Sequence, residues 1–480
     1  MKQLNYINGK WLAQKDGRTF PVLNPATGET VGEVPDCGAE ETREAIEAAA
    51  EAFKTWSRTT SQERYALLYR VYELVRQRTD ELARIITLEN GKPLADAKGE
   101  IAYGNSYFLW YAEEAKRIYG ETIPALVPNK RITVIRQPVG VVGAITPWNY
   151  PFAMIARKVS AALAAGCTVV AKPSEDTPLT AIALCEILEE AGIPAGVVNL
   201  VTGSPQAIGG EMLANPLVRK MTFTGSTQVG KHLIRGSAEH VKKVSMELGG
   251  HAPFIVFDDA DIDAAVAGAL SVKFKNNGQA CVCGNRFFIH RPIMEEFSAK
   301  FIEQTKKYKV GIGTEEGTQI GPLINQKGLA KVETHVADAL AKGAVLAAGG
   351  KRLTAGGLDR GWVYEPTVLL NVNESMQIFY EETFGPVAPL IPFETEEEAI
   401  RRANDSVYGL AAYVYTRDAG RVVRVSEALE YGMVGVNDPG PAVAYQAPFG
   451  GMKQSGLGRE GGRQGLMEFL EEKYISHQFE

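Results

Sequence analysis

The sequence predicts an α/β protein built on a doubly wound parallel sheet. Two observations carry this reading. Short apolar runs at Val139–Ile145, Thr168–Ala171, Val197–Val201, Met221–Thr224 and Val244–Met246 alternate with helical segments at about 153–165, 178–192, 205–214 and 228–237. A second alternating series starts near His251, with strand-like runs at Pro253–Phe257, Arg286–His290, Leu410–Tyr415 and Met433–Val436. Strands joined by helices of this length imply right-handed crossovers and parallel pairing. A chain of 480 residues has room for about three domains.

Taken in order, the chain begins with a short extended lead-in, and Arg43–Trp56 is alanine-rich and helix-favouring. The next helix opens with Thr60 and Glu63 at capping-box spacing, and Leu68, Val71, Tyr72 and Val75 then recur as a core-facing stripe. The polar stretch from Tyr119 to Gln137 fits neither alternating series; its Ile132 and Val134 suggest a protruding hairpin. Residues 1–118 and 139–249 are read as one Rossmann-like unit, 250–450 as a second α/β unit, and 119–138 with 451–480 as a small β oligomerisation element.

Composition narrows the function. Hydrophobic residues make up 45% and charged residues 22%, so a folded core is expected rather than disorder. A formal charge of −6, from 51 basic and 57 acidic residues, argues against nucleic acid as a partner. Val159–Ala171 is too short to span a membrane, and the N-terminus lacks a signal-peptide core. Five cysteines, Cys37, Cys167, Cys185, Cys281 and Cys283, are too few for a disulfide framework and suggest a reducing, cytoplasmic setting.

Several familiar patterns fail. Gly456, Gly458 and Gly461 form a GxGxxG string, but only a short tail follows, so it reads as a flexible turn into a final helix. The six histidines show no ligand spacing and no CxxC occurs, so no metal is expected. Cys281 paired with a distant histidine could make a thiol hydrolase, yet no particular histidine offers itself.

Six segments hold reactive groups at strand ends or helix starts. They are Thr146-Pro147-Trp148-Asn149-Tyr150-Pro151, Lys172-Pro173-Ser174-Glu175, Phe223-Thr224-Gly225-Ser226, Glu247-Leu248-Gly249-Gly250, Gly278-Gln279-Ala280-Cys281-Val282-Cys283 and Glu381-Glu382-Thr383-Phe384-Gly385-Pro386. In this order they resemble the aldehyde dehydrogenase superfamily from about residue 5 to the end. The second cysteine after Cys281 and the Pro448–Gly461 segment look most like succinate-semialdehyde dehydrogenases.

The resemblance implies an NAD(P)-dependent oxidation in which Cys281 attacks the aldehyde as a thiolate. The Asn149 amide and the Cys281 N–H would hold the resulting oxyanion, and Glu247 would activate water against the thioester. Read plainly, Cys281 could be an inert packing thiol, Glu247 an ion-paired carboxylate and Asn149 a helix cap. Thr146, Trp148, Lys172, Glu175, Gly225, Ser226, Leu248, Glu382 and Phe384 are implied cofactor contacts. The Glu175 charge favours NAD over NADP, though rotation of its side chain would admit both; the plain alternative is a solvated Lys172–Glu175 pair.

For the substrate, Arg157 matches a carboxylate clamp, or else is a solvated helix charge beside Lys158. Lys275 stands where a second arginine is common, and Phe449 with Trp148 would line the channel. A serine expected before Pro448 is missing. These departures keep glutarate semialdehyde, lactaldehyde and other aliphatic aldehydes open beside succinate semialdehyde. Cys283 is read as a redox partner of Cys281 or as packing. A CoA-acylating enzyme and a non-catalytic homologue are weaker alternatives, and the resemblance suggests a homodimer or homotetramer.

Overall fold

The computed structural model describes residues 2–480 and contains two large sheets. In the first, Val141–Ile145, Thr168–Lys172, Val198–Leu200, Val218–Thr224 and Lys243–Glu247 run parallel. The chain winds outward through the first three strands, then returns past the first to place Val218–Thr224 and Lys243–Glu247 on its other side. The winding reverses between Val141–Ile145 and Val218–Thr224, and such a switch point opens a crevice beyond the strand C-termini.

Side chains alternate between the two faces of this sheet, as period-two strands require. Val142, Ala144, Val169 and Ala171 join one buried apolar cluster, while Val141, Val170, Met221 and Met246 join another. The helices Pro151–Ala165 and Leu179–Ala191 pack on this sheet, and the helix Ser61–Gln77 packs on them. Thr60 Oγ1 accepts from Glu63 N–H at 3.2 Å, while Glu63 accepts from Thr60 N–H at 2.6 Å. This is the expected capping box, and Leu68, Val71 and Val75 are fully buried.

The second sheet orders its strands Val345–Ala348, Thr367–Leu370, Val387–Phe393, Gly284–His290, Ala252–Val256, Ala411–Tyr415 and Met433–Val436. All neighbours are parallel except the first pair. The sequence pattern had shown four of these strands. Val345–Ala348 and Thr367–Leu370 escaped it as four-residue runs, and Val387–Phe393 because Pro389 and Pro392 argue against a strand interior.

The extended lead-in supplies two antiparallel strands to the first sheet, Asn5–Ile7 and Lys10–Leu12. One expectation needs correction. The glycine string is not a flexible turn, because Gly456–Leu457 pairs antiparallel with Met246 and Glu247 at the opposite edge. The segment after residue 450 therefore divides. Its first part completes the first sheet, and Leu470–Gln478 pairs with Lys130–Pro138, which pairs in turn with Glu121–Ile123. No helix among the described residues is long and apolar enough to cross a membrane.

One buried carboxyl fastens the helical layer. Glu89 accepts from Leu179 N–H at 2.7 Å and Thr180 N–H at 2.9 Å, capping the helix Leu179–Ala191 from a distant segment. Glu89→Ala is expected to destabilise the fold by about 2 kcal/mol, the scale of losing bonds to a buried acceptor. Glu89→Gln, which keeps an accepting oxygen, should cost less. Thermal unfolding of both variants checks this, and equal Tm values would contradict it.

Candidate active site

The implied catalytic residues gather where the two sheets meet. Gly250 ends the loop after Lys243–Glu247, and a Cβ there would lie 2.2 Å from the Cys281 carbonyl oxygen. Only glycine admits the loop that carries the thiol. Gly278, at φ 73°, makes a similar approach, its Cβ position being 2.2 Å from the Gly385 carbonyl oxygen.

Cys281 is partly exposed and opens into a cavity of about 490 Å³. Arg157, Lys275 and Phe449 line the same cavity, together with Tyr103, Tyr150 and Tyr445. Trp148 does not. Its ring stands edge to face against Phe384, centroids 5.4 Å apart, so it does not form the expected channel wall.

Asn149 is buried just before the helix Pro151–Ala165. It is not the helix cap: its Nδ2 donates to the Gln279 carbonyl at 3.1 Å, two residues before the cysteine. An amide nitrogen carries two hydrogens, so one remains to face the thiol loop.

Glu247 is buried at its strand end, and neither oxygen has a hydrogen-bond partner among the described residues. A Cβ on Gly450 would come within 3.0 Å of its Oε1, so that glycine makes room for the carboxyl. Burial, reinforced by the nearby Glu460, raises the Glu247 carboxyl well above the usual range.

Sequence reasoning missed Glu460. Its buried carboxylate pairs with both Arg157 Nε and Lys158 Nζ. Burial alone would raise it, but the two cations outweigh that and hold it below the usual carboxylate range. Two adjacent charges inside an apolar helical run were the available signal, since such charges need a buried counter-ion. The solvated reading of Arg157 is therefore excluded. Its guanidinium lies 4.4 Å from the Phe449 ring centroid, while Nη1 and Nη2 remain unpartnered among the described residues. Lys275, by contrast, is exposed at the cavity wall.

Thr146, Lys172 and the Gly225–Ser226 turn all follow strand C-termini around the switch point. Lys172 is buried and its Nζ lies 2.8 Å from the half-exposed Glu175 carboxylate. Ser226 caps the helix Thr227–Ser237 through Val229 N–H, leaving the first amides of that helix at the crevice. Leu248 packs beneath against Gly230. Glu382 accepts from Gly250 N–H at 3.0 Å, and burial pushes its carboxyl up to about 7. Phe384 beside it adopts a left-handed φ of 55°. An anion-favouring helix start, carboxylates able to accept from ribose hydroxyls and an aromatic ring fit a nicotinamide dinucleotide.

Cys283 is buried, and its Sγ donates to the Lys273 carbonyl at 3.5 Å. Burial raises the Cys281 thiol to about 12, partly offset by Arg157.

A model of the aldehyde dehydrogenase family matches residues 11–475. A glutarate-semialdehyde dehydrogenase of Pseudomonas putida is 54% identical over 474 residues, covering 99% of this chain and 97% of the relative. A 3-sulfolactaldehyde dehydrogenase of Pseudomonas putida is 53% identical over 476 residues, again covering 99% and 97%. The solved structure of a succinate-semialdehyde dehydrogenase from Burkholderia pseudomallei superposes with a TM-score of 0.97 at 55% identity, covering 99% of this chain and 98% of that one.

In the protein without ligands, the elevated thiol should make alkylation of Cys281 by iodoacetamide rise about tenfold per pH unit from pH 7 to 10. Peptide mass spectrometry follows the rate, and a plateau below pH 8 would contradict the elevated thiol.

Proposed function

The chain belongs to the aldehyde dehydrogenase family, and we propose that it oxidises succinate semialdehyde to succinate with NAD as acceptor. The observation that carries the substrate is the shared cavity, which the partly exposed Cys281 and the buried Arg157 both line, with Nη1 and Nη2 lacking a protein partner among the described residues. Such a guanidinium can bind a carboxylate through two parallel bonds.

In the proposed reaction, the Cys281 thiol loses its proton to solvent, and the thiolate Sγ bonds to the aldehyde carbon. The carbonyl oxygen becomes an oxyanion held by the free Asn149 N–H and the Cys281 backbone N–H. Bound dinucleotide supplies the acceptor for the hydride that leaves as the carbonyl re-forms. Glu247 then takes a proton from water, the water oxygen attacks the thioester, and the carbon–sulfur bond breaks to release the acid. A carboxyl raised by burial suits this role, because its basicity lies nearer working pH. Hydrolysis by Glu247 distinguishes this reading from transfer to CoA.

Lys275 favours a second reading. It is exposed and lacks the planar fork of arginine, so the outer carboxylate position is less tightly defined. Glutarate semialdehyde, one carbon longer, is the alternative, with lactaldehyde and simple aliphatic aldehydes behind it. NAD is preferred over NADP because Lys172 fixes Glu175 at the strand end, where an ionised carboxylate opposes a 2′-phosphate. Cys283, buried and engaged with Lys273, is assigned to packing rather than redox exchange. Exposed Tyr474 and Ile475 on the three-stranded sheet, with Leu126 and Val127 in the loop between Glu121–Ile123 and Lys130–Pro138, suit burial against a second copy, in a homodimer or homotetramer. The five free cysteines fit a reducing cytoplasm.

Arg157→Gln should lower kcat/KM for succinate and glutarate semialdehydes by about 100-fold, the loss of two charge-assisted bonds. Propanal should lose far less. Parallel kinetics on the three aldehydes check this, and an equal loss on all three would refute the clamp. Measured side by side, NAD should give the higher kcat/KM, and Glu175→Ala should narrow the gap; a preference for NADP would overturn the Glu175 assignment.

A further inference from the structure

A second buried ion pair lies close to Asn149. Lys92 Nζ is 2.6 Å from Glu100 Oε2, and the two side chains are 1% and 0% exposed. A pair so far from water is favourable only when further hydrogen bonds satisfy both members. Here those bonds converge on one loop. Glu100 Oε1 accepts from Phe152 N–H at 2.8 Å and Ala153 N–H at 3.2 Å. These amides begin the helix Pro151–Ala165, whose cap residue, Tyr150, supplies no side-chain bond.

Lys92 Nζ in turn donates to the Asn149 carbonyl at 2.7 Å and sits 4.1 Å from the Tyr150 ring centroid. From the opposite side, Asn276 Nδ2 donates to the same carbonyl at 2.9 Å. Asn276 and Asn277 hold left-handed φ values of 49° and 57° to bring it there. Two donors on one carbonyl fix the peptide plane of Asn149, and that plane sets where its side chain leaves the backbone. Lys92 does not line the substrate cavity.

The geometry points to Lys92 as a positioning residue, whose ammonium anchors the Asn149 carbonyl and so aims the Asn149 amide at the oxyanion. This rests on the reading of Asn149 as the oxyanion donor. Lys92 itself does not line the cavity; its partners Glu100 and Tyr150 do, so the Asn149→Ala background is what isolates the route through Asn149.

The test uses the full-length enzyme carrying Lys92→Met together with Glu100→Gln, which retains an acceptor for Phe152 and Ala153 and leaves no stranded charge. The expected result is a fall in kcat of about tenfold or more, the scale of a displaced oxyanion donor. The aldehyde KM and the rate of Cys281 alkylation should stay within about twofold. In an Asn149→Ala background the pair should cost nothing further, because residues acting through one contact are non-additive. Lys92→Arg, which keeps the charge opposite Glu100 but offers a different donor geometry, should lower kcat without lowering Tm, and covers the case in which the double variant fails to fold. An unchanged kcat, or the same loss with and without Asn149, would overturn the inference. An Asn149→Ala enzyme with native kcat would overturn the oxyanion reading itself.

Discussion

The helix Pro151–Ala165 is buried along its whole length, yet it carries Arg157 and Lys158 side by side. Charges in such a place must be neutralised within the protein, and Glu460 does this for both. Removing one member of a pair of this kind typically costs about 3–5 kcal/mol. To deliver its carboxylate, the chain crosses back over the first sheet, and its Phe449 and Glu460 backbones pair with each other on the way. That crossing lays Gly456–Leu457 beside Glu247 and the Phe449 ring beneath Arg157. A single counter-ion thus ties together a sheet edge, a cavity wall and the surroundings of the proposed base.

The same cluster separates two carboxyls by environment. Glu460, facing two cations, stays ionised, while Glu247, buried without a hydrogen-bond partner and near that negative charge, is pushed toward its neutral form. Neighbouring acids driven apart in this way can take different roles in one site. Arg157 belongs to both arrangements: its Nε pairs with Glu460, and the residue lines the cavity. A carboxylate on the substrate would then bring a second negative charge to a cluster with two cations and one ionised acid.

Much of this was legible in the sequence because its signals are local. The Thr60–Glu63 box, the alternating strands of the first sheet and the six reactive segments each depend on residues a few positions apart. What escaped detection depends on distant partners. Glu460 meets Lys158 across 302 positions, and Lys92 meets the Asn149 carbonyl across 57. Nothing in the spacing of Gly456, Gly458 and Gly461 shows that the first of these glycines becomes an edge strand. Residue type shows that the Trp148 ring must pack, but only the turn after Thr146 sets it on Phe384.

In the proposed reaction, oxidation proceeds through a thioester on Cys281 that Glu247 hydrolyses. Rapid mixing of a Glu247→Gln enzyme with NAD and succinate semialdehyde, followed by peptide mass spectrometry, tests it directly. The expected result is one burst of NADH per active site, slow turnover afterwards, and a succinyl mass increment on the peptide carrying Cys281. Fast steady turnover without a burst, or an adduct on any other residue, would contradict it.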